Sequence, residues 1–120
     1  MRRIYHLVLR SAWERSPDRP YAADSLASEG FIHCSNAGQV AGSANRFFAD
    51  QTDVLVLEID PDRLTSPLRD EPGGAGELYP HVYGPINRDA VVAVHPLRRG
   101  ADGLWAFDPD GGPGEGRPGE

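Results

Sequence analysis

The chain has 120 residues, 39% of them hydrophobic, with a single cysteine and a formal net charge of −6. That is enough apolar material for one compact domain without a metal or disulfide, and one cysteine cannot form an intramolecular bridge. Half of the negative charge belongs to the last thirteen residues, and the mildly acidic body argues against nonspecific binding to nucleic acid, which depends on cations that neutralise phosphates.

No stretch approaches the roughly 20 apolar residues that span a bilayer, and the start Met1-Arg2-Arg3-Ile4 carries no apolar signal-peptide run. Together with the lone cysteine this reads as a cytoplasmic protein with no membrane attachment. The cations are all arginine, which presents a planar guanidinium suited to bidentate capture of a small anion.

In chain order, residues 3 to 9 are apolar and β-prone enough for a strand buried on both faces. Ser11-Ala12-Trp13-Glu14 has capping-box spacing and predicts a short helix that stops before Pro17. Asp24 to Glu29 predicts a helical turn ending at Gly30, followed by a strand over 31 to 34 with Ser35 or Asn36 as the next N-cap. From Ala37 to Ala49, Val40, Ala44, Phe47 and Phe48 fall on one helical face.

Asp53 to Asp60 is the strongest strand signal, an apolar run between acidic ends, and is expected to be central. A turn over 62 to 67, a short strand from Leu68 to Asp70 and a mobile loop from Glu71 to Gly76 follow. Residues 77 to 83 and Ala90 to Leu97 read as strands, and Arg99 to Gly103 as the turn of a hairpin onto Leu104 to Phe107. The order β-α-β-α-β-β-β-β-β points to an α+β domain over residues 1 to 107 with a mainly antiparallel or mixed sheet. Residues 108 to 120, rich in Gly, Pro and acids, offer nothing to bury and are expected to be a disordered tail.

Chemistry concentrates on three histidines, each beside a tyrosine or cysteine in an apolar run: Tyr5-His6, His33-Cys34 and Tyr79-Pro80-His81-Val82-Tyr83. An imidazole near neutral pH can act as acid or base, donate to a ligand, bind a metal, or simply pack in a core. Sheet pairing would bring the three runs into one cleft. A zinc site made of His6, His33 and His81 lacks the local spacing of known sites, so no metal is assigned. Cys34 beside His33 would point to the opposite face of a strand, which disfavours a thiolate–imidazolium pair, so it reads as a small buried hydrophobe. His95, before Pro96, reads as structural. No phosphate-cradling glycine motif or nucleophile elbow is present.

Ile4-Tyr5-His6, Glu29-Gly30-Phe31-Ile32-His33-Cys34-Ser35 and Tyr79-Pro80-His81-Val82-Tyr83-Gly84-Pro85 resemble the three signature stretches of the family called domain of unknown function 952. That family is grouped with the ADP-ribosyltransferase-like folds, a group that includes RNA 2′-phosphotransferases. The resemblance implies a split, mixed or antiparallel β-sheet with a ligand cleft between its halves, and makes NAD a candidate cofactor. It implies that His6 is placed like a first-strand histidine that contacts a ribose of NAD, and that His33 stands near the place of a tyrosine that stacks on nicotinamide. Ser43-Ala44-Asn45 is similar to the helix that follows. The catalytic glutamate of that group has no clear counterpart, His81 or Glu77 being nearest.

The function expected is therefore a small enzyme, of the transferase kind or another histidine-dependent class, acting on a nucleotide-like or other small anionic ligand. His6, His33 and His81 are the candidate catalytic residues. Tyr5, Ser35 and Tyr83 are candidate ligand contacts, and Arg10, Arg46 and Arg69 candidate anion holders. A binding module without turnover, or an enzyme on an unrelated metabolite, uses the same cleft.

Overall fold

Three antiparallel sheets and three short helices make up an α+β fold in the computed structural model, which describes residues 2–73 and 76–109. Strands β1 (Ile4–Leu9), β3 (Val54–Ile59) and β6 (Val91–Pro96) form the first sheet in the order β1-β3-β6. The second has the order β2-β5-β4, with β2 (Ile32–His33), β4 (Leu68–Pro72) and β5 (Leu78–Val82). A small ribbon pairs β7 (Arg98–Arg99) with β8 (Trp105–Ala106). Helices α1 (Arg10–Glu14), α2 (Asp24–Glu29) and α3 (Val40–Phe47) complete it.

The expected central strand takes the middle of the first sheet because both of its faces are apolar. Leu55, Leu57 and Ile59 join Ile4, Val8, Ile32 and Val82 in the core between the two larger sheets, while Val54 and Val56 face Val40 and Ala44 of α3 and Trp105 of β8. Asn45 of α3 fastens the ribbon, its amide donating to the Trp105 carbonyl at 3.0 Å and accepting from the Trp105 N–H at 2.8 Å.

The segment 32–35 stitches the two larger sheets together. Cys34 N–H donates to the Pro80 carbonyl on β5, and one residue later Ser35 exchanges both backbone hydrogen bonds with Tyr5 of β1, at 2.7 and 2.9 Å. Pro80 explains why β2 is only two residues long: opposite Cys34 it has no N–H to return, so the ladder stops and the chain crosses to β1.

Two local expectations need correction. The Ser11 capping box does not form, since α1 begins at Arg10 with no side-chain cap; the box lies instead at Asn36 and Gln39, where Gln39 Oε1 accepts from the Asn36 N–H at 2.9 Å. Glu71 and Pro72 are not loop but the end of β4, an edge strand, which tolerates proline. The helix end at Gly30 is as read, with Gly30 left-handed at φ 90°. Of the expected tail, residues 110–120 lie outside the described residues.

Candidate functional site

Side chains on a strand alternate between faces, and the second sheet sorts its residues accordingly. Ile32, Val82 and Leu68 point into the core; His33 of β2 with Phe31 just before it, Arg69 and Glu71 on β4, and Tyr79 and His81 on β5 with Tyr83 just after it share the other face. Cross-strand register then sets the neighbours. His33 lies opposite His81, which in turn lies opposite Arg69. Because Cys34 and Pro80 form the hydrogen-bonded position on that ladder, His33 and His81 occupy the non-hydrogen-bonded position, where opposed side chains stand closest. Their ring centroids are 5.6 Å apart.

Each imidazole has its own carboxylate. His81 Nδ1 lies 2.8 Å from Glu71 Oε1, and the same oxygen accepts the Tyr83 hydroxyl at 2.5 Å. His33 Nε2 lies 3.2 Å from both oxygens of Glu29 on the last turn of α2. Phe31 welds the pair: it stacks on His81 at 4.1 Å with a 20° interplanar angle and meets His33 edge-on at 4.8 Å. The His81 side chain is 9% exposed and that of His33 54%, so one ring is embedded and the other faces solvent.

The Tyr83 hydrogen bond, followed by the contact with His81, holds the Glu71 carboxyl below the ordinary glutamate range. The reciprocal effect of Glu71 raises the Tyr83 phenol. Arg69 lays its guanidinium over the Tyr83 ring at 5.0 Å and makes no hydrogen bond to protein among the described residues, so its N–H fork is open to an anion.

The other expected residues stand elsewhere. His6 lies beneath the site, not on its face: it is buried, its Nδ1 is 2.6 Å from the His33 carbonyl and its Nε2 2.8 Å from the Tyr21 hydroxyl. Burial pushes its pKa down to about 4. Tyr5 faces the α3 side of β1, edge-on to Phe107 at 5.3 Å, and Ser35 is buried with its hydroxyl 3.4 Å from that of Ser43. Arg10 pairs with Asp53 and Glu14, and Arg46 lies over Phe47, so of the three arginines only Arg69 adjoins the histidine pair. Glu77 accepts from Gln39 at 2.8 Å. Cys34 is buried with its thiol pushed up to about 12 by burial, which removes it as a nucleophile at neutral pH.

Three residues of the site escaped the sequence reading: Phe31, Glu29 and Glu71. The i, i+2 spacing of Phe31 with His33 was the available signal for the first, and the i, i+4 spacing of Glu29 with His33 for the second. Among the described residues no group of three or more His, Cys, Asp or Glu side chains is arranged to hold a metal ion, and no helix is long and apolar enough to cross a membrane.

The family described as a protein of unknown function, DUF952, matches residues 7–94. Among solved structures, the crystal structure of protein CC0527 from Caulobacter crescentus is similar, with a TM-score of 0.78 and 25% identity over 87% of this chain and 93% of that one. The solution structure of CC0527 gives a TM-score of 0.72 and 27% identity over 87% and 91% of the two chains. No curated protein matches the chain.

Proposed function

The chain belongs to the DUF952 family, and from that premise we propose that it is a small enzyme of ADP-ribosyltransferase-like fold that acts on a nucleotide-like or other small anionic ligand. His33 and His81 serve as its acid and base. The observation that carries this reading is the pair of imidazoles 5.6 Å apart, each held by a separate carboxylate. A carboxylate on one nitrogen orients the ring, leaving the other nitrogen for proton transfer. On His81 that nitrogen is Nε2, which has no protein hydrogen bond among the described residues. Two such groups facing one another are suited to a reaction in which one proton is taken as another is given.

Arg69 supplies the open cation for the anion, and Phe31 and Tyr83 supply ring surface for a planar portion of the ligand. Glu71, kept ionised by Tyr83 and His81, offers a negative charge beside the reacting centre, the role for which the sequence alone shows no counterpart. NAD, ADP-ribose and phosphorylated nucleotides are therefore the compounds to try.

The test is a turnover and binding panel of those compounds on wild-type protein, His33→Gln and His81→Gln. Loss of about 10²–10⁴-fold in kcat with affinity largely kept supports proton transfer. Lost affinity with no turnover in the wild type makes the site a binding module instead. Unchanged binding and turnover in both variants refutes the reading.

A further inference from the structure

The His33 carbonyl poses a structural question that the sheet itself does not answer. Ladder alternation turns it away from β5, because the hydrogen-bonded position on that side is taken by Cys34 with Pro80. It points toward β1, and there it meets the ring of His6 at 2.6 Å. A carbonyl oxygen only accepts, so His6 Nδ1 carries a proton. The His6 ring is buried, and no carboxylate hydrogen-bonds to it, so nothing bonded to it balances an imidazolium; its low pKa agrees. The ring is therefore neutral, and Nε2 is a bare acceptor for the Tyr21 hydroxyl at 2.8 Å. Tyr21 is itself buried and anchored, its backbone exchanging both hydrogen bonds with Ile86 at 2.8 Å.

We propose that His6 is a positioning residue for His33: the chain Tyr21 O–H to His6 Nε2, and His6 Nδ1–H to the His33 carbonyl, sets where the His33 imidazole stands in the site. β2 is too short to do this alone. Only two of its residues pair before the ladder stops at Pro80, the His33 carbonyl has no partner on β5 among the described residues, and the buried ring ties that oxygen down two residues ahead of the Tyr5–Ser35 bridge to β1. The sense of both hydrogen bonds is dictated, so the ring has one tautomer and one orientation. The effect on turnover rests on the acid–base reading of His33; the tautomer and the hold on the carbonyl do not.

The experiment is long-range ¹H–¹⁵N correlation on labelled protein, followed by a His6→Asn and His6→Gln comparison. The wild-type His6 ring is expected to show a protonated Nδ1 and an unprotonated Nε2, unchanged between pH 8 and 5. An Nε2–H tautomer or an imidazolium at pH 7 overturns the proposal. Asn places an amide N–H near the position of Nδ1, whereas Gln reaches only toward Nε2. Accordingly His6→Asn should rescue the ¹³C shift of the His33 carbonyl and the His33 ring shifts, and His6→Gln should move them. For any panel compound that wild type turns over, His6→Gln should lower kcat about tenfold with KM little changed, as a small misplacement of a reacting group does.

Equal loss of melting temperature in both variants with His33 shifts unmoved would reduce His6 to a packing residue and overturn the proposal. If neither variant folds, Tyr21→Phe decides: the His33 carbonyl still dictates Nδ1–H, so the tautomer should persist while the ¹⁵N shift of His6 Nε2 moves for want of its donor, and an Nε2 shift unchanged from wild type refutes the chain. Should no compound turn over while the tautomer and the carbonyl shifts behave as stated, the positioning role stands and the catalytic reading alone fails.

Discussion

The two larger sheets have the same number of strands and the same antiparallel pairing, yet one is largely enclosed and the other carries the candidate site on an open face. The sheet β1-β3-β6 is covered on both faces over β1 and β3, by the second sheet on one side and by α3 with the β7-β8 ribbon on the other. The core side of that sheet is apolar apart from its single histidine, His6, which is held neutral between the Tyr21 hydroxyl and the His33 carbonyl. The sheet β2-β5-β4 is covered on one face only, so its other face can hold charge, carboxylate and imidazole side by side. Coverage, rather than strand composition, separates the two: β5 and β1 each put a histidine next to a valine or leucine, and only one of those histidines meets solvent-facing carboxylates.

This contrast can be broken at its strongest point first. Leu57→Ala in β3, at a fully buried position, should cost about 2–5 kcal/mol and lower the denaturant midpoint markedly. Arg69→Ala on the open face should change stability by less than about 0.5 kcal/mol. Comparable losses at the two positions in urea unfolding would contradict the division of labour.

Acidity offers a second lever. Unfolded His6 takes a proton near 6.5 and the folded ring only near 4, so between these values the unfolded state binds more protons. The stabilisation present above pH 6.5 is therefore lost as pH falls toward 4, by about 3 kcal/mol in all. His6→Asn, if it folds, should flatten the stability profile over that window. A wild-type profile already flat there would mean that the ring is solvated.

The smallest effect belongs to the open face. Tyr83→Phe removes the largest influence that holds the Glu71 carboxyl low, so a ¹³C titration of that carboxyl should shift up toward the usual glutamate range, with the melting temperature nearly unchanged. A fixed Glu71 titration would assign its acidity to His81 instead.

How far the chain could be read in advance follows the same line. The buried sheet was transparent: the six-residue run between Asp53 and Asp60 has no alternative to a central strand, and Gly30 marks a helix end because only glycine is at ease at φ 90°. The open face was half transparent. His33, His81, Tyr83 and Arg69 announce themselves by residue type, and they do meet. Glu71 was hidden because Pro72-Gly73 is a strong turn signal that an edge strand nevertheless accommodates. Its neighbours depend on a hairpin register that no local pattern encodes. Tyr5 and His6 are adjacent in sequence and equally suggestive, and only the placement of layers on β1 sends one to the α3 side and the other beneath the site. The capping box expected at Ser11 stands at Asn36 instead, because spacing alone does not say which candidate box finds its partner.

Cys34 sits at the stitch where the chain leaves β5 for β1, and it is the one sulfhydryl in the sequence. A thiol reagent can reach it only when that stitch parts. The rate of its labelling is accordingly a clock for one local event, the separation of the two sheets along 32–35, free of background from any other cysteine. Conditions that leave the clock slow while the protein melts would show the seam to be the last part to open; a clock that runs fast in the native state would show the site being rebuilt from one moment to the next.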